Sequence, residues 1–417
     1  MTTYWCARAW LPDGVARDVR IEVEAGVLKA LTPGAPRTGI VLNGLVLPGF
    51  ANRHSHAFHR ALRGRTHHDR GTFWTWRERM YALAGRLDPE SYHRLARGVF
   101  AEMTLAGYTS VDEFHYLHHG PGGRPYDDPN AMGYALVEAA AEAGIRVTVL
   151  DTCYLTGGFD RELDEPQRRF GDGDAEAWAR RVEAFEPGVP VGAAVHSVRA
   201  VPVDQLASVK GRPLHVHLSE QRAENEECLA HLGRTPAQVL ADAGVLGPDT
   251  VAVHGTHLTE ADIRTLAETR TRVCFCPTTE RDLGDGIGPA RALADAGVPL
   301  CLGSDSHAVI DPFEEARALE MNERLAAGSR GRFTMTELMA ASGGGLRVGA
   351  PADLVVVDPE SVRTAGSEAE AVVLAATAAD VTDVLVGGRW VVRDRVHQLV
   401  ERPETVLAKE IEALWRS

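Results

Sequence analysis

Lysine, positive charge and long apolar runs are all scarce in this chain of 417 residues. Its only lysines are Lys29, Lys210 and Lys409, and its formal net charge is -14. No basic stripe is available to phosphates, which argues against a nucleic-acid partner. No apolar run approaches the ~20 residues that a membrane helix needs, so we expect no membrane partner. The start of the chain lacks a basic segment followed by an apolar one, which predicts no signal peptide and a cytoplasmic location.

Cysteine is also sparse, with six residues spread along the chain, mostly within apolar runs. This pattern is typical of buried thiols in a reducing compartment and not of a disulfide framework. Cys274 and Cys276 could imitate a metal-ligand pair, but we favour alternate strand residues that face a core. The remaining composition, with 44% hydrophobic and 24% charged residues, is that of an ordinary globular protein.

Eight β-like runs alternate with amphipathic stretches of helical length. The runs lie near 45–50, 108–114, 146–153, 189–196, 213–218, 250–255, 272–277 and 299–303. The helical stretches include 89–106, 130–143, 174–185, 259–269 and 311–327. Such alternation predicts a parallel sheet with right-handed crossovers. Eight units over about 290 residues favour an α/β fold of the (β/α)8 TIM-barrel type, whose active site lies at the C-terminal ends of the strands.

Both ends of the chain have a different pattern. Short β-like pieces occur in residues 1–45 and 346–403, with a hairpin signal at Gly387-Gly388. The simplest interpretation is a small β-sandwich domain built from both ends, around a barrel at 46–345. Residues 404–417 are predicted to form a C-terminal helix.

Several strand-like runs end in residues that bind metals or transfer protons. These residues are His54 with His56, His217 followed by Glu220, His254, and Asp305. Side chains two apart in a strand share a face, so His54 and His56 can reach one cation together. Imidazole and carboxylate are suitable ligands for a borderline divalent ion. Because only a closed ring of strands gathers residues so far apart, the pattern predicts a metal-dependent hydrolase.

This arrangement resembles the amidohydrolase superfamily and, within it, the formimidoylglutamate deiminases of bacterial histidine degradation. The resemblance runs through nearly the whole chain and is carried by residues 52–58, 72–81, 113–119, 196–199, 217–221 and 276–286. It implies hydrolysis of N-formimino-L-glutamate to N-formyl-L-glutamate and ammonia. The junction at 339–346 is shorter than the resemblance implies, but it lies away from the strand ends.

The resemblance also bears on the number of metal ions. Dinuclear members of the superfamily commonly bridge their ions with a carboxylated lysine after the fourth strand. The three lysines lie elsewhere, and the fourth run ends in His196. We therefore expect one divalent ion, zinc, held by His54, His56, His217 and Asp305.

The chemistry expected of this site needs three side chains besides the ion, which lowers the pKa of a bound water towards ~7. Asp305 can take the proton of the water, and His254 can donate a hydrogen bond to the nucleophile. Glu220 can then protonate the attacked imine nitrogen.

A dicarboxylate substrate needs cationic partners. Arg77 and Arg199 can each bind one carboxylate in bidentate fashion, and Tyr116 and His196 add donors. The alternatives are a surface position for Arg77 and an ordinary loop position for Arg199. His59 stands where the resemblance implies glutamine, which leaves one substrate contact, and the choice between formiminoglutamate and formiminoaspartate, open.

Other residues and functions have simpler interpretations. We expect solvent or loop positions for His67, His68, His93, His118, His119, His231 and His397. We place His215 on the face of its strand opposite to His217, and His257 and His307 beside the site. The aromatic segment with Trp74, Trp76 and Tyr81 predicts packing or a subunit contact, and hence a homodimer. The alternative functions are a deaminase of a purine-type ring and a non-catalytic scaffold.

Overall fold

The computed structural model describes residues 1–67 and 71–416, and its strands form two sheets. The strands are β1 Thr2–Leu11, β2 Gly14–Glu24, β3 Val27–Thr32, β4 Ile40–Pro48, β5 Phe50–Ser55, β6 Tyr108–His115, β7 Arg146–Cys153, β8 Val191–Val195, β9 Leu214–Leu218, β10 Thr250–His254, β11 Arg272–Phe275, β12 Leu300–Leu302, β13 Leu354–Val357, β14 Val381–Val386, β15 Arg389–Arg393 and β16 Val396–His397.

Helices follow most of the strands from β5 onwards. They are α1 Phe73–Ala84, α2 Pro89–Leu105, α3 Ala131–Ala143, α4 Ala175–Glu183, α5 Val203–Leu206, α6 Arg222–Leu232, α7 Pro236–Asp242, α8 Glu260–Thr269, α9 Pro277–Leu283, α10 Ala290–Asp295, α11 Pro312–Ala327, α12 Met335–Ser342, α13 Val372–Ala375 and α14 Pro403–Arg416. Short 3-10 helices lie at Ala57–Leu62 and Glu165–Phe170, among other places.

Strands β5 to β12 form a parallel eight-stranded sheet in sequential order, which confirms the predicted barrel. A parallel bridge between Ser55 and Asp305 joins its two ends. There the Asp305 amide donates to the His54 carbonyl at 2.9 Å, and the His56 amide donates to the Asp305 carbonyl at 3.1 Å. The prediction of a first strand near 45–50 was wrong, since Pro48 ends β4 of the other sheet and β5 begins at Phe50.

The barrel helices begin where the sequence places capping residues. Before α8, Asp262 accepts from the Thr259 amide at 2.8 Å, while the Thr259 hydroxyl accepts from the Asp262 amide at 3.2 Å. This reciprocal pair satisfies two amides that the first turn leaves without partners. Before α11, Asp311 accepts from the Phe313 amide at 2.9 Å, with Pro312 at the first helical position.

The second sheet comes from both chain ends and is mixed, in the order β16-β15-β14-β13-β4-β1-β2-β3. The predicted hairpin joins β14 and β15 at Gly387 and Gly388, whose φ angles of 55° and 75° suit a type I′ turn. Asp353 ties this sheet to the barrel, because it accepts from Arg146 at the start of β7 at 2.6 Å and from the Gly387 amide at 2.8 Å.

The short junction after α12 depends on glycine. Gly343 and Gly344 have φ angles of 144° and 91°, which side chains rarely adopt. A Cβ on Gly345 would lie 2.8 Å from the Pro12 nitrogen. The chain can therefore pass directly from the last barrel helix into the second sheet.

All six cysteines are buried, as predicted. Among the residues that the structure describes, no helix combines the length and apolarity that crossing a membrane requires.

A buried ionic network lies beside β7 and includes contacts with two histidines of the loop that follows β6. Arg181 on α4 donates to both carboxylate oxygens of Asp151 at 2.8 Å and to Asp172 at 2.9 Å. His119 bonds Asp172 at 2.9 Å, and His118 bonds the Thr152 carbonyl at 2.9 Å. His118 and His119 lie in the loop after β6, as predicted, although both are buried. The prediction of a solvent or loop position was wrong for His397, which is buried on β16. His68 lies outside the described residues.

We expect Arg181→Met to lower the free energy of unfolding by about 3–5 kcal/mol, because it leaves buried carboxylates without their counter-charge. The adjacent Arg180, whose side chain is 68% exposed, provides the control. Arg180→Met should change stability by no more than about 0.5 kcal/mol in the same urea titration. Equal effects of the two substitutions would show that the network contributes nothing to stability.

Candidate active site

The predicted ligands converge where the two ends of the barrel sheet meet. The Nε2 atoms of His54 and His56 each lie 3.3 Å from Asp305 Oδ1. His217, from β9, places its Nε2 3.1 Å from that of His54. All four residues are buried. The chain at β5 and at β9 thus points His54, His56 and His217 into the same space.

The donor set fits a divalent cation. Burial lowers the pKa of His54 and brings that of His56 to about 3, so both imidazoles are neutral. His56 Nδ1 bonds the Phe114 carbonyl at 3.0 Å and must donate to it, which leaves the lone pair on Nε2. Several lone pairs therefore face one another with too few protons between them. A cation would satisfy them together.

Asp305 is ionised in this cluster. Burial raises the pKa of its carboxyl, but the hydrogen bond of His54 and the charge of the nearby His254 outweigh that effect and hold the pKa well below its usual range. Its ligand atoms, with those of His54, His217 and His254, all lie within 4.8 Å of one another. Those of His56, His59 and Asp305 form a second such group. His254 and His59 thus lie as near as the predicted ligands.

His254 differs from the other histidines in its surroundings. Its Nδ1 lies 3.4 Å from Glu280, and its Nε2 lies 3.8 Å from Glu220 and 4.0 Å from Asp305. Burial lowers the pKa of this imidazole, but the charge of Glu220 and the other carboxylates raises it to about 10. His254 is therefore held as a protonated donor, in contrast to the neutral His54 and His56.

The backbone at the strand ends is strained. His254 and Asp305 have φ angles of 72° and 42°, and Ser219, just after β9, has 50°. Non-glycine residues rarely adopt these values, which persist only when surrounding structure imposes them. The packing around these three strand ends therefore imposes their backbone conformation.

Glu113 on β6 fixes both neighbours of His56. Its carboxyl group accepts from the Ser55 hydroxyl at 2.5 Å and from the Ala57 amide at 2.6 Å. Burial raises the pKa of Glu113 to about 8. His307, predicted to lie beside the site, bonds Ser55 at 3.2 Å on the other side. These contacts leave the backbone around His56 little freedom.

Glu220 follows β9 and lies at the edge of the cluster. Burial raises the pKa of its carboxyl to about 7, although the nearby His254 lowers it. The Glu220 amide donates to Glu224 at 3.3 Å, and Glu224 lies 3.8 Å from Arg199. A carboxyl group with this pKa can give or take a proton near neutral pH.

A cavity of about 590 Å³ opens onto the cluster. Of the eleven predicted site residues, all except the deeper His54 line it: His56, His59, Arg77, Tyr116, His196, Arg199, His217, Glu220, His254 and Asp305. Phe73, Trp76, Met80, Tyr81, Tyr154, Phe170 and Leu283 complete the lining. The cavity has the lining of a small-molecule site, in which aromatic side chains surround a few polar and charged groups.

The two arginines face this cavity. In the part of the chain that the structure describes, no carboxylate lies within salt-bridge distance of Arg77, which donates to the Tyr81 hydroxyl at 2.6 Å. The Arg199 Nε is buried and has no hydrogen-bond partner, with Glu224 3.8 Å away. Arg77 on α1 thus lines a cavity and does not have the alternative surface position. Arg199 lies in the turn after β8, but its side chain is largely buried and lines the same cavity. His59 bonds Tyr116 at 2.8 Å.

Sequence patterns missed several residues of the site. Tyr154 lies outside every motif. Glu113 and Glu280 fall within the resembling segments 113–119 and 276–286 but were assigned no role, and only their tertiary contacts reveal one. Tyr81 and Trp76, assigned to packing or a subunit contact, line the cavity, while Trp74 is 47% exposed. The homodimer stays a prediction.

The prediction for His215 was wrong. Its ring stacks on that of His54 with 6.4 Å between centroids, inside the barrel. Residues 215 and 217 are two apart on one strand and therefore share a face.

Known proteins agree with this fold and site. The model of the amidohydrolase family matches residues 45–391, so the chain belongs to this family. A formimidoylglutamate deiminase of Pseudomonas aeruginosa is 38% identical over 440 residues, which cover 96% of this chain and 97% of that protein. An 8-oxoguanine deaminase of the same species is 29% identical, with 84% and 82% covered. The crystal structure of an amidohydrolase from Brucella melitensis matches with a TM-score of 0.90 at 32% identity, over 100% of both chains.

Proposed function

We propose that this hydrolase deiminates N-formimino-L-glutamate, which yields N-formyl-L-glutamate and ammonia. One observation carries the proposal: two arginines line the same cavity as the histidine and aspartate cluster. A formimino dicarboxylate presents an amidine carbon at one end and two anions at the other. The 38% identity to a formimidoylglutamate deiminase over nearly the whole chain supports the same substrate.

The metal site in this proposal holds one divalent ion, zinc, through His54, His56, His217 and Asp305. Three neutral imidazoles and one carboxylate are a common ligand set for zinc. Bound there, the ion supplies Lewis acidity, which lowers the pKa of water towards ~7 and polarises the amidine. The charge of His254, with its pKa of about 10, disfavours it as a fifth ligand.

Three side chains move the protons of the reaction. Asp305 accepts a proton from the attacking water, and Glu220, with its pKa of about 7, donates one to the imino nitrogen. His254 donates a hydrogen bond to the oxygen that attacks. As the carbon–nitrogen bond breaks, the proton left on that oxygen passes to the departing nitrogen. The proton held by Asp305 is returned to Glu220, which restores both side chains. In net terms the two hydrogens of water convert the imino group into ammonia, while the oxygen of water stays on the carbon as the formyl oxygen.

Arg77 and Arg199 bind the two carboxylates in this proposal, with Tyr116, His196 and His59 as further donors. A buried carboxylate must recover its lost hydration, and guanidinium groups do so with charge-assisted hydrogen bonds. Because His59 is already bonded to Tyr116, it can act on the substrate either directly or through the tyrosine hydroxyl.

A purine-type deaminase is the second candidate, favoured by the 29% identity to an 8-oxoguanine deaminase. The arginines oppose it, because a neutral ring gives them no anion. Release of ammonia from formiminoglutamate, formiminoaspartate, guanine and adenosine, measured side by side, decides among these substrates. A preference for either ring compound would replace the proposed function.

Reloading of metal-free protein with zinc should restore about one ion per chain. We expect His217→Ala to lower the affinity for zinc by more than about a hundredfold, since even outer partners of ligands cost about 10–100-fold. The control is His215→Ala, two residues away on β9, which should keep the ion even if it melts earlier. Two tightly bound ions, both required for turnover, would contradict the single-ion site.

Glu220→Gln should keep the fold and the ion but lower kcat by about 10²–10⁴-fold, because an amide cannot supply the proton. Glu226→Gln, an exposed carboxylate on α6, is the matched control and should have normal kcat. Near-normal turnover by Glu220→Gln would assign Glu220 a structural role only.

Arg77→Met and Arg199→Met should each lower kcat/KM for formiminoglutamate by at least about thirtyfold, with Arg180→Met as the control. The loss of Arg77 should act mainly on KM. The loss of Arg199 should also affect kcat, because Arg199 offsets the charge of Glu224, which bonds the Glu220 amide. Unchanged kinetics in both variants would show that these arginines do not bind the substrate.

A further inference from the structure

Gln167 lies directly behind the cavity without lining it. It sits on the 3-10 helix Glu165–Phe170, after β7, and its side chain is fully buried. Its amide group contacts two residues that do line the cavity, Tyr81 and Tyr154. None of the motifs of the sequence includes it.

The orientation of the Gln167 amide follows from its neighbours. The Asp164 amide can only donate, and it lies 2.8 Å from Gln167 Oε1. The nitrogen Nε2 must therefore point the other way, where it donates to the hydroxyls of Tyr81 and Tyr154, each at 3.0 Å. Close packing against Gly157 holds the group in place, since a Cβ there would lie 2.8 Å from Oε1.

This orientation decides where the tyrosine protons can go. The Tyr81 oxygen accepts from Gln167 at 3.0 Å and from Arg77 Nε at 2.6 Å, so both of its lone pairs are occupied. Its own proton must be donated. If the Tyr81 proton is donated to Tyr154, the Tyr154 oxygen also accepts two hydrogen bonds, and the Tyr154 proton is then the one that must be donated elsewhere. In either case, one hydroxyl proton beside Arg77 has no further acceptor among the described residues outside the cavity, so it can be donated into the cavity.

We infer that Gln167 is a positioning residue for substrate selection. It makes Arg77, Tyr81 and Tyr154, here called the donor group, present hydrogen-bond donors only. Such a surface accepts a carboxylate, which has no proton to give, and rejects the mixed donor and acceptor edge of a ring. The inference rests on the proposed function and adds the element that specifies an anionic end of the substrate.

Gln167→Glu tests this directly, because it keeps the size of the side chain. One carboxylate oxygen still accepts from the Asp164 amide, but the other can only accept. The hydroxyl protons of Tyr81 and Tyr154 then turn towards residue 167 and away from the cavity. We expect KM for formiminoglutamate to rise by about tenfold or more, while kcat stays within about threefold. The preference over a formimino amino acid with one carboxylate should fall by a similar factor.

Two further variants and a control complete the design. Gln167→Met removes the donors without adding acceptors, and Tyr81→Phe removes one hydroxyl; both should raise KM in the same way. The control is Tyr134→Phe on α3, whose hydroxyl accepts from the Glu186 amide at 3.2 Å, outside the cavity. It should leave KM unchanged. A general loosening of the fold would instead lower kcat and the melting temperature in every variant.

The outcomes separate this inference from the proposed function. If the native chain hydrolyses formiminoglutamate and Gln167→Glu has the KM of Tyr134→Phe, the inference is wrong and the function stands. If Gln167→Glu does not fold, unchanged KM in both Gln167→Met and Tyr81→Phe overturns it. If the native chain does not hydrolyse formiminoglutamate, the inference is tested by calorimetry, which measures the binding of N-formyl-L-glutamate to the native chain and to Gln167→Glu. Weaker binding to Gln167→Glu than to the native chain then supports the inference. Equal binding to both proteins, or no binding to the native chain, overturns it.

Discussion

The pairing of the first barrel strand with the segment after the last one is the contact on which the site depends. Two backbone hydrogen bonds of His54 and His56 with Asp305 close the barrel at this point. The side chains of His54 and His56 each lie 3.3 Å from that of Asp305. Closure of the fold and assembly of the cluster are therefore one event. Glu113 adds to it by bonding Ser55 and Ala57, on either side of His56.

Charge is divided between the two ends of the cavity. The deep end holds neutral imidazoles and the ionised Asp305, while Arg77 and Arg199 lie in the wall. Burial makes this division effective, because a low dielectric strengthens each interaction and raises the cost of an unpaired group. A molecule with an electrophilic carbon and separate anions complements both ends, and this is why the arginines weigh more in the functional proposal than the cluster alone.

Periodicity in the sequence predicted the strands and the position of the cluster, but few of the contacts that depend on tertiary packing. Strand alternation and the chain order of His54, His217 and Asp305 sufficed for the barrel and the position of the cluster. The break between β4 and β5 was invisible, because Gly49 alone separates the two strands. Residues such as Gln167 and Arg181 could not be found at all. Gln167 contacts Tyr81, 86 positions away, and Arg181 contacts Asp151, 30 positions away, and no local pattern records those two contacts.

The link from Arg199 through Glu224 to Glu220 makes the pKa of Glu220 depend on whether a carboxylate is bound at Arg199. While the cavity is empty, the charge of Arg199 lowers the pKa of Glu220, and that of Glu224 raises it. A carboxylate bound to Arg199 would neutralise the charge that lowers the pKa of Glu220. It would also leave the charge of Glu224, which raises that pKa, less balanced, so both changes would raise the pKa of Glu220. In the proposed function, binding of a substrate carboxylate at Arg199 would therefore favour the protonated form of Glu220, the form that donates a proton.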